Sequence, residues 1–406
     1  MHASQRRLAS IACRVFMVLV LLAAAKQPAA AAAETDDIAT NLDRTDETLA
    51  TKGLGFLEDL SQRRKQWRER IGLDTGVTYH TLFMAALLGD GVPVAAGGDL
   101  TLQGIWSPGK NWREDPLQLR FRLRHRHAFG DTAPSGLDEE LGALWGVTDG
   151  FSDRGFEVPD FYFRQKFAGS GLELRYGQMT IHSLLDSHAL EGAKQSFINQ
   201  AFSSNPAVAF PRFGAGFTLA KEFDNGLDLT IGATNVQGTE NGGQVDFDFD
   251  SDDLFSAVQL GYDFKTIGQR DSRLQLLLWH SDAVRSGALP EGMGASITIE
   301  QELADDDVTV FTRIAWSDGG AATVDALVSG GIAWHRGDGD LLGAAAGCGR
   351  GSGRGHAIQG VLECFYRWQL REGFHITPDI QMLAGEGFND SPGLRFTTGI
   401  RCGLDF

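Results

Sequence analysis

The residues best equipped for chemistry in this chain are arginines. Arg120, Arg122, Arg124 and Arg126 take every second position of LQLRFRLRHRHAFG (117–130), with Leu119, Phe121 and Leu123 between them. A guanidinium presents a fixed fork of hydrogen-bond donors and keeps its charge at any ordinary pH. Such a row suits non-covalent recognition of oxygen-rich or anionic solutes. It supplies neither a nucleophile nor a general base. More arginines and carboxylates occupy the polar positions of later segments: Arg164, Glu173, Arg175, Glu363, Arg367, Asp379 and Arg401. Carboxylates accept where guanidiniums donate, so the set offers many weak, exchangeable polar contacts.

The spacing dictates the element that carries the row. At 3.6 residues per turn, alternate residues scatter around a helix. In a strand they share one face, and the leucines and Phe121 share the other. A soluble sheet would turn the arginines to water and the leucines to a core. A membrane barrel would turn the leucines to lipid and the arginines to a wet lumen.

The rest of the chain chooses between these. His2, Arg6 and Arg7 precede the apolar run VFMVLVLLAAA, and Ala31–Ala33 suits signal peptidase, so residues 1–33 read as a secretory signal peptide. The formal net charge is −17 and every acidic residue follows that segment, so the exported part is more acidic still, which argues against a nucleic-acid partner. Cys348, Cys364 and Cys402 remain after it, an odd number that suits small apolar side chains better than a disulfide framework. No later stretch is long and apolar enough for a membrane helix. Residues 34–70 read as a polar segment with a short helix: Phe56, Leu57, Leu60, Trp67 and Ile71 recur at roughly helical spacing and would let it close one end of the domain.

From 71 to 406 the period is two. The pattern predicts about sixteen strands, at 71–88, 97–107, 116–129, 155–168, 171–182, 212–224, 226–237, 254–265, 272–283, 292–304, 308–318, 322–336, 340–350, 356–370, 374–386 and 393–406. Most have about the ten-residue length of a tilted membrane strand. Tight connectors (GSG 169–171, DNG 224–226, DDD 305–307, GDGD 337–340, REG 371–373) largely alternate with long ones (130–154, 183–211, 238–253, 284–291). An all-β, antiparallel up-and-down transmembrane barrel predicts that alternation, with short periplasmic turns and long external loops. Sidedness agrees: Leu394, Phe396, Ile400 and Leu404 oppose Arg395, Thr397, Arg401 and Asp405. Aromatic residues gather near strand ends, as an interfacial girdle requires (Trp106, Phe129, Phe167, Tyr262, Phe264, Trp316, Trp334 and Trp368). Phe406 ends an amphipathic strand, the form that outer-membrane barrel-assembly machinery accepts.

Two stretches carry a family likeness. One is FINQAFSSNPAVAFPRFGAGFTLAKEF (197–223). The other is the chain's last part, in which Glu363 and Tyr366 form a Glu-x-x-Tyr strand and Thr377, Pro378, Asp379 and Gln381 form Thr-Pro-Asp-x-Gln. Both resemble the carbohydrate-selective (OprB-type) porins of Gram-negative outer membranes. The resemblance implies a monomeric or homotrimeric sixteen-stranded channel for passive sugar diffusion, set among outer-membrane lipid and lipopolysaccharide. It implies arginines and carboxylates at the narrow zone and no cofactor or metal. Sugar hydroxyls both donate and accept, so they match the residues named above.

The long apolar connector 183–211 should fold into the barrel, where Phe197, Asn199, Phe202 and Asn205 would form a constriction. A general or anion-selective porin is the alternative, because an arginine row attracts anions. Other motifs carry less. Asp246, Asp248 and Asp250 alternate, but Ser251 and Ala257 stand where a calcium loop needs Gly and Glu, so the stretch reads as an acidic external loop suited to divalent-ion bridging of lipopolysaccharide. GCGRGSGRGH (347–356) lacks the strand-to-helix context of a phosphate loop. His125 and His127 fall on the lipid-side parity. Ser183 with His182 or His188 could suggest a lipid hydrolase, but these residues form no trio of consistent parity.

Overall fold

The structure is a computed structural model that describes residues 38, 42 and 55–406, apart from 89–90, 112–113, 239–241, 267–269, 286–288, 304–306, 319, 338, 354–356, 372 and 388–392, with side chains described from residue 62 onward and at 38 and 42. Residues 1–33, which the sequence pattern reads as a signal peptide, lie outside the described residues.

Sixteen strands form one closed antiparallel barrel in which each strand pairs with its chain neighbours and the last pairs with the first. They are β1 (Leu73–Leu87), β2 (Val94–Trp106), β3 (Leu117–Ala128), β4 (Gly155–Phe167), β5 (Leu172–Met179), β6 (Gly214–Glu222), β7 (Leu227–Asn235), β8 (Leu254–Thr266), β9 (Arg270–Ser281), β10 (Gly292–Leu303), β11 (Val308–Ser317), β12 (Val324–Arg336), β13 (Asp340–Gly351), β14 (Ile358–Arg371), β15 (Phe374–Gly385) and β16 (Gly393–Asp405). Every strand that the two-residue period predicted is present, with ends shifted by a few residues. Closure follows from the solvent: hydrocarbon offers no hydrogen bonds, so no strand edge can be left open.

Alternate residues divide between two media. On β16 Leu394 and Ile400 are 63% and 52% exposed on the outside, whereas Arg401 between the strands' inner faces is 1% exposed. Trp106, Phe129, Phe167, Tyr262, Trp316 and Trp368 are exposed near strand ends, at the girdle positions.

The helix α1 (Gly55–Ile71) precedes β1. Among its described side chains the anchor is polar; Phe56, Leu57 and Leu60 of the expected apolar stripe lie outside the described side chains. Trp67 and Ile71 are exposed, while buried Arg64 donates to Asp74 at the start of β1 (2.5 Å) and Arg68 pairs with the same carboxylate (3.0 Å). Gly72 ends the helix with φ of +72°, and a Cβ there would lie 2.0 Å from the Ser107 carbonyl oxygen, so only glycine admits this turn against the β2–β3 connector.

Two connectors, 129–154 and 180–213, leave the same end of the barrel and fold into it. The first carries the short helix α2 (Leu137–Leu141) and the second α3 (Gln200–Ser203). Their apolar residues meet apolar residues of the inner wall. Phe197 packs edge-on against Phe365 of β14 (centroids 4.9 Å apart) and lies near Phe202 and Phe311, in a cluster that includes Leu144, Trp145, Leu327 and Val361. Leu137, Leu141, Val147 and Phe151 pack with Leu82, Met84, Leu383 and Ile198. The inner face is therefore not uniformly wet. Where β1, β8, β9 and β11–β15 turn apolar residues inward, loop residues cover them.

The division of faces sets a direct expectation. Ile400→Arg places a charge on the lipid side near the middle of β16 and should cost roughly 2–4 kcal/mol, read as a lower denaturant midpoint of the bilayer-reconstituted barrel. A midpoint unchanged from the parent would mean that this face does not meet hydrocarbon.

Candidate functional site

The arginine row lies on the inner face of β3, and its neighbours explain how four guanidiniums share one strand. β2 and β4 flank it. Arg126 stands opposite Asp99, Arg124 opposite Thr101 and Arg122 opposite Gln103 in register with β2. On the other side Arg122 stands opposite Asp160 and Arg124 opposite Glu157, so two residues of β4, Val158 and Pro159, face the one residue Leu123 of β3. This is a β-bulge at Val158 and Pro159, and Pro159 suits it because proline has no N–H to give the ladder. The extra residue changes parity. It lets Glu157 and Asp160, one at an odd and one at an even position, both face the arginines.

The charge of the row is therefore partly offset. Arg122 pairs with Asp160 (3.3 Å), while Arg124 (3.3 Å), Arg126 (2.6 Å) and Arg212 from the second connector converge on Glu157. Lys194 pairs with Asp99 (3.1 Å), which also accepts from Thr101 (2.8 Å). Arg120 donates to Gln118 (3.1 Å). Nearer the end where the chain enters the barrel, Glu173 takes Arg164 (2.6 Å) and Arg175 (2.7 Å) in a separate cluster.

The remaining polar residues that the sequence singled out hold the second connector. Glu363 is fully buried, and its two oxygens accept the N–H groups of Ile198 (2.7 Å) and Asn199 (2.9 Å). Asn199 donates to Gln381 (2.9 Å), Gln381 donates to the Val147 carbonyl of the first connector (2.8 Å), and Trp145 of that connector donates to Asn199 (2.8 Å). Arg367 donates to the Gln195 carbonyl (3.0 Å), and Arg401 to those of Ala193 and Ser196, the latter at 2.8 Å. Asp379 sits beside this hub and accepts from Gln381 (3.4 Å).

Between β3 and the two connectors lies a cavity of ≈ 740 Å³. Arg122, Arg124 and Arg126 border it from the wall, and Glu191, Lys194, Asn205, Phe210 and Arg212 from the second connector. Asp138, Asp149 and Arg154 border it from the first. Of the constriction residues expected from the sequence, Asn205 reaches the cavity, while Phe197, Asn199 and Phe202 form the buried back of the loop. Sequence reasoning missed Asp99, Glu157, Lys194 and the whole first connector. The bulge hid Glu157, and 130–154 has no apolar run to match that of 183–211. It also missed Arg313, a fully buried inward residue of β11 that donates to the carbonyls of Ser204 and Asp186 (2.5 Å each). The one charged residue among the uncharged inward positions of β11 (Thr309, Phe311, Ala315 and Ser317) was the available signal.

Two loop carboxylates at the cavity have shifted acidities. Burial pushes Asp138 up to about 7, against the N–H that Val147 donates to it (2.7 Å). Burial also holds Glu191 well above the usual carboxylate range, and Asp186 and Asp149 add repulsion to it. His188 is held well below its usual value by burial and by Arg313. It stacks on Phe311, Nε2 donates to the Phe202 carbonyl (2.8 Å), and Nδ1 accepts from Leu190 N–H (3.2 Å). Both ring nitrogens are thus occupied by loop backbone. Ser183 donates to the Thr180 carbonyl (2.8 Å). The pair is built as loop structure, not as a nucleophile and its base.

A barrel with an internal loop and an arginine-lined gap agrees with the sequence match: residues 113–406 fit the profile of the carbohydrate-selective porin OprB family. The chain belongs to that family. It is an outer-membrane porin of the carbohydrate-selective class. No curated protein matches it by sequence. Its fold is similar to that of Pseudomonas putida OprB at high pH, with TM-score 0.69, 12% identity, and coverage of 86% of this chain and 97% of that one. The low-pH structure of the same protein gives 0.55, 12%, 89% and 99%. A Salmonella typhi OmpF complex with daunomycin gives 0.53, 10%, 82% and 97%. Glu363 and Gln381, which carried part of the family likeness in the sequence, are the residues that pin both inward connectors of this porin.

Two outcomes follow. Glu363→Ala leaves two buried N–H groups without an acceptor, at about 1–3 kcal/mol each. It should lower the melting temperature and give larger, noisier single-channel currents, whereas unchanged current noise would separate Glu363 from loop position. For pH, a carboxyl raised to about 7 is neutral below that value and gains its charge as pH rises through it. Cation preference, measured as reversal potential in a salt gradient, should therefore increase between pH 6 and 8, and Asp138→Asn should flatten that increase.

Proposed function

We propose that neutral sugars cross the outer membrane through the gap between the β3 arginines and the two inward connectors, down their gradient. The observation that carries this reading is partial charge offset: Arg122, Arg124 and Arg126 keep their donor forks at the cavity while Asp160 and Glu157 offset part of their charge. A solute there meets directional donors in a field lower than the bare row would give. Hydroxyl groups benefit from such donors, and anions gain less than a bare arginine row would give them. Lys194 and Glu191 supply a donor and an acceptor from the opposite side, and Phe210 gives an apolar face for sugar C–H surfaces. Residues 1–33 would direct export, the loop-bearing end would face the exterior with its acidic loop near lipopolysaccharide, and Phe406 would engage barrel assembly.

Arg154 is exposed at the cavity and favours a second reading, an anion-selective pore. Planar-bilayer recordings separate the two. Monosaccharide should reduce ion current in the parent, and Arg122→Ala with Arg124→Ala should raise conductance and weaken that block several-fold. Strong chloride selectivity without any sugar block would reject the sugar reading in favour of the anion reading.

A further inference from the structure

The outer wall above β5–β7 carries a feature that solute passage does not use. β5, β6 and β7 have 8, 9 and 9 residues, whereas their neighbours β4 and β8 have 13 each. Eight residues at about 3.3 Å each, tilted by about 45°, rise roughly 19 Å, less than the apolar band of about 25 Å that such barrels present to lipid. At the loop end of these short strands, outer-face positions are buried. Gln178 shares the outer face with its register partners Phe161 and Ala215, and Ala233 shares it with Phe217. Gln178, Ala215, Ala233 and Asn235 are 0%, 2%, 7% and 6% exposed.

The cover is the connector between β7 and β8. Gln178 accepts the Asp246 N–H (2.6 Å) and donates to the Gln244 carbonyl (3.2 Å). Asn235 donates to the Asp248 carbonyl (2.6 Å) and accepts the Asp250 N–H (3.0 Å). Two outward amides thus hold residues 244–250 across the outside of the barrel. Phe247 then lies edge-on to Phe161, and Phe249 lies against Phe217 (centroids 6.0 Å in both). Phe163 stacks on Tyr176 directly below. Val245, Phe247 and Phe249 remain 40%, 57% and 40% exposed.

The geometry points to segment 244–250 as a lipid-facing belt: Val245, Phe247 and Phe249 meet the acyl chains of the surrounding leaflet and complete the apolar band that β5–β7 leave short. Continuity argues for hydrocarbon as the occupant. Two aromatic pairs follow one another up the same outer face, Tyr176 with Phe163 and then Phe161 with Phe247, and the lower pair is barrel wall. The alternation Val245, Phe247, Phe249 against Asp246, Asp248, Asp250 gives the segment one apolar and one acidic edge, as an element at the boundary of hydrocarbon and headgroups needs. Gln178 and Asn235 would otherwise face lipid with unsatisfied amides. The proposal is independent of which solute the porin carries.

The test is nitroxide accessibility on the full-length porin in bilayers, with native cysteines replaced by alanine and single labels at F247C, F249C, L174C and D248C. The ratio of oxygen to nickel-chelate collision at 247 and 249 should lie within about two-fold of that at 174 and several-fold above that at 248. A ratio at 247 and 249 equal to that at 248 would overturn the proposal. So would dipolar broadening that disappears on dilution with unlabelled chain, because a second copy would then cover the strip. Should F247C fail to assemble, F249C is read by the same two criteria. Adding Gln178→Ala and Asn235→Ala should bring the label at 249 to the ratio at 248 while single-channel conductance stays within about 20% of the parent.

Discussion

A polypeptide segment buried inside a barrel must have its peptide groups paired, and this constraint organises the structure. Residues 193–205 run through the barrel without strand partners. Wall side chains replace the missing ladder: Glu363 takes two N–H groups, and Arg367, Arg401 and Arg313 take carbonyls. Asn199 and Gln381 then join this segment to the first connector. Charged groups serve here because several backbone groups must be satisfied from one direction, and each such bond is stronger than a neutral one.

The same constraint divides the barrel in two. On the β11–β14 side apolar wall residues meet apolar loop residues around Phe197 and Trp145, and that part of the inner wall is dry. On the β3 side the wall stays open to the cavity. A channel of this kind is the remainder left when loops fill one half of a barrel. Its width depends on how firmly they are held, and its polarity on the strands they leave uncovered.

Partial charge offset decides what that remainder can do. An arginine row alone would be an anion trap. Asp160 and Glu157 offset it from the adjacent strand through a one-residue bulge, so the guanidinium forks persist with a reduced field. Conduction needs contacts that form and break readily, and donors balanced by nearby acceptors provide them.

The sequence by itself determined the barrel. A two-residue period over sixteen segments, with leucine against arginine on alternate sides, has only one arrangement in which the apolar side meets hydrocarbon and no edge is left unpaired. It also marked 183–211 as too apolar for water, and it marked the family-like residues Glu363 and Gln381. Only the tertiary structure decided their roles. Glu363, Arg367 and Arg401 face inward as Arg122 and Arg124 do, and a strand's alternation says only that a side chain points inward. Whether it then meets water or a buried loop depends on residues well over a hundred positions away. The pairing of Glu157 with the arginines depends on a bulge that shifts register by one residue, and the burial of Gln178 and Asn235 on the lipid side depends on a loop crossing the outer wall. Local pattern fixes which way a residue faces; long-range packing fixes what it faces.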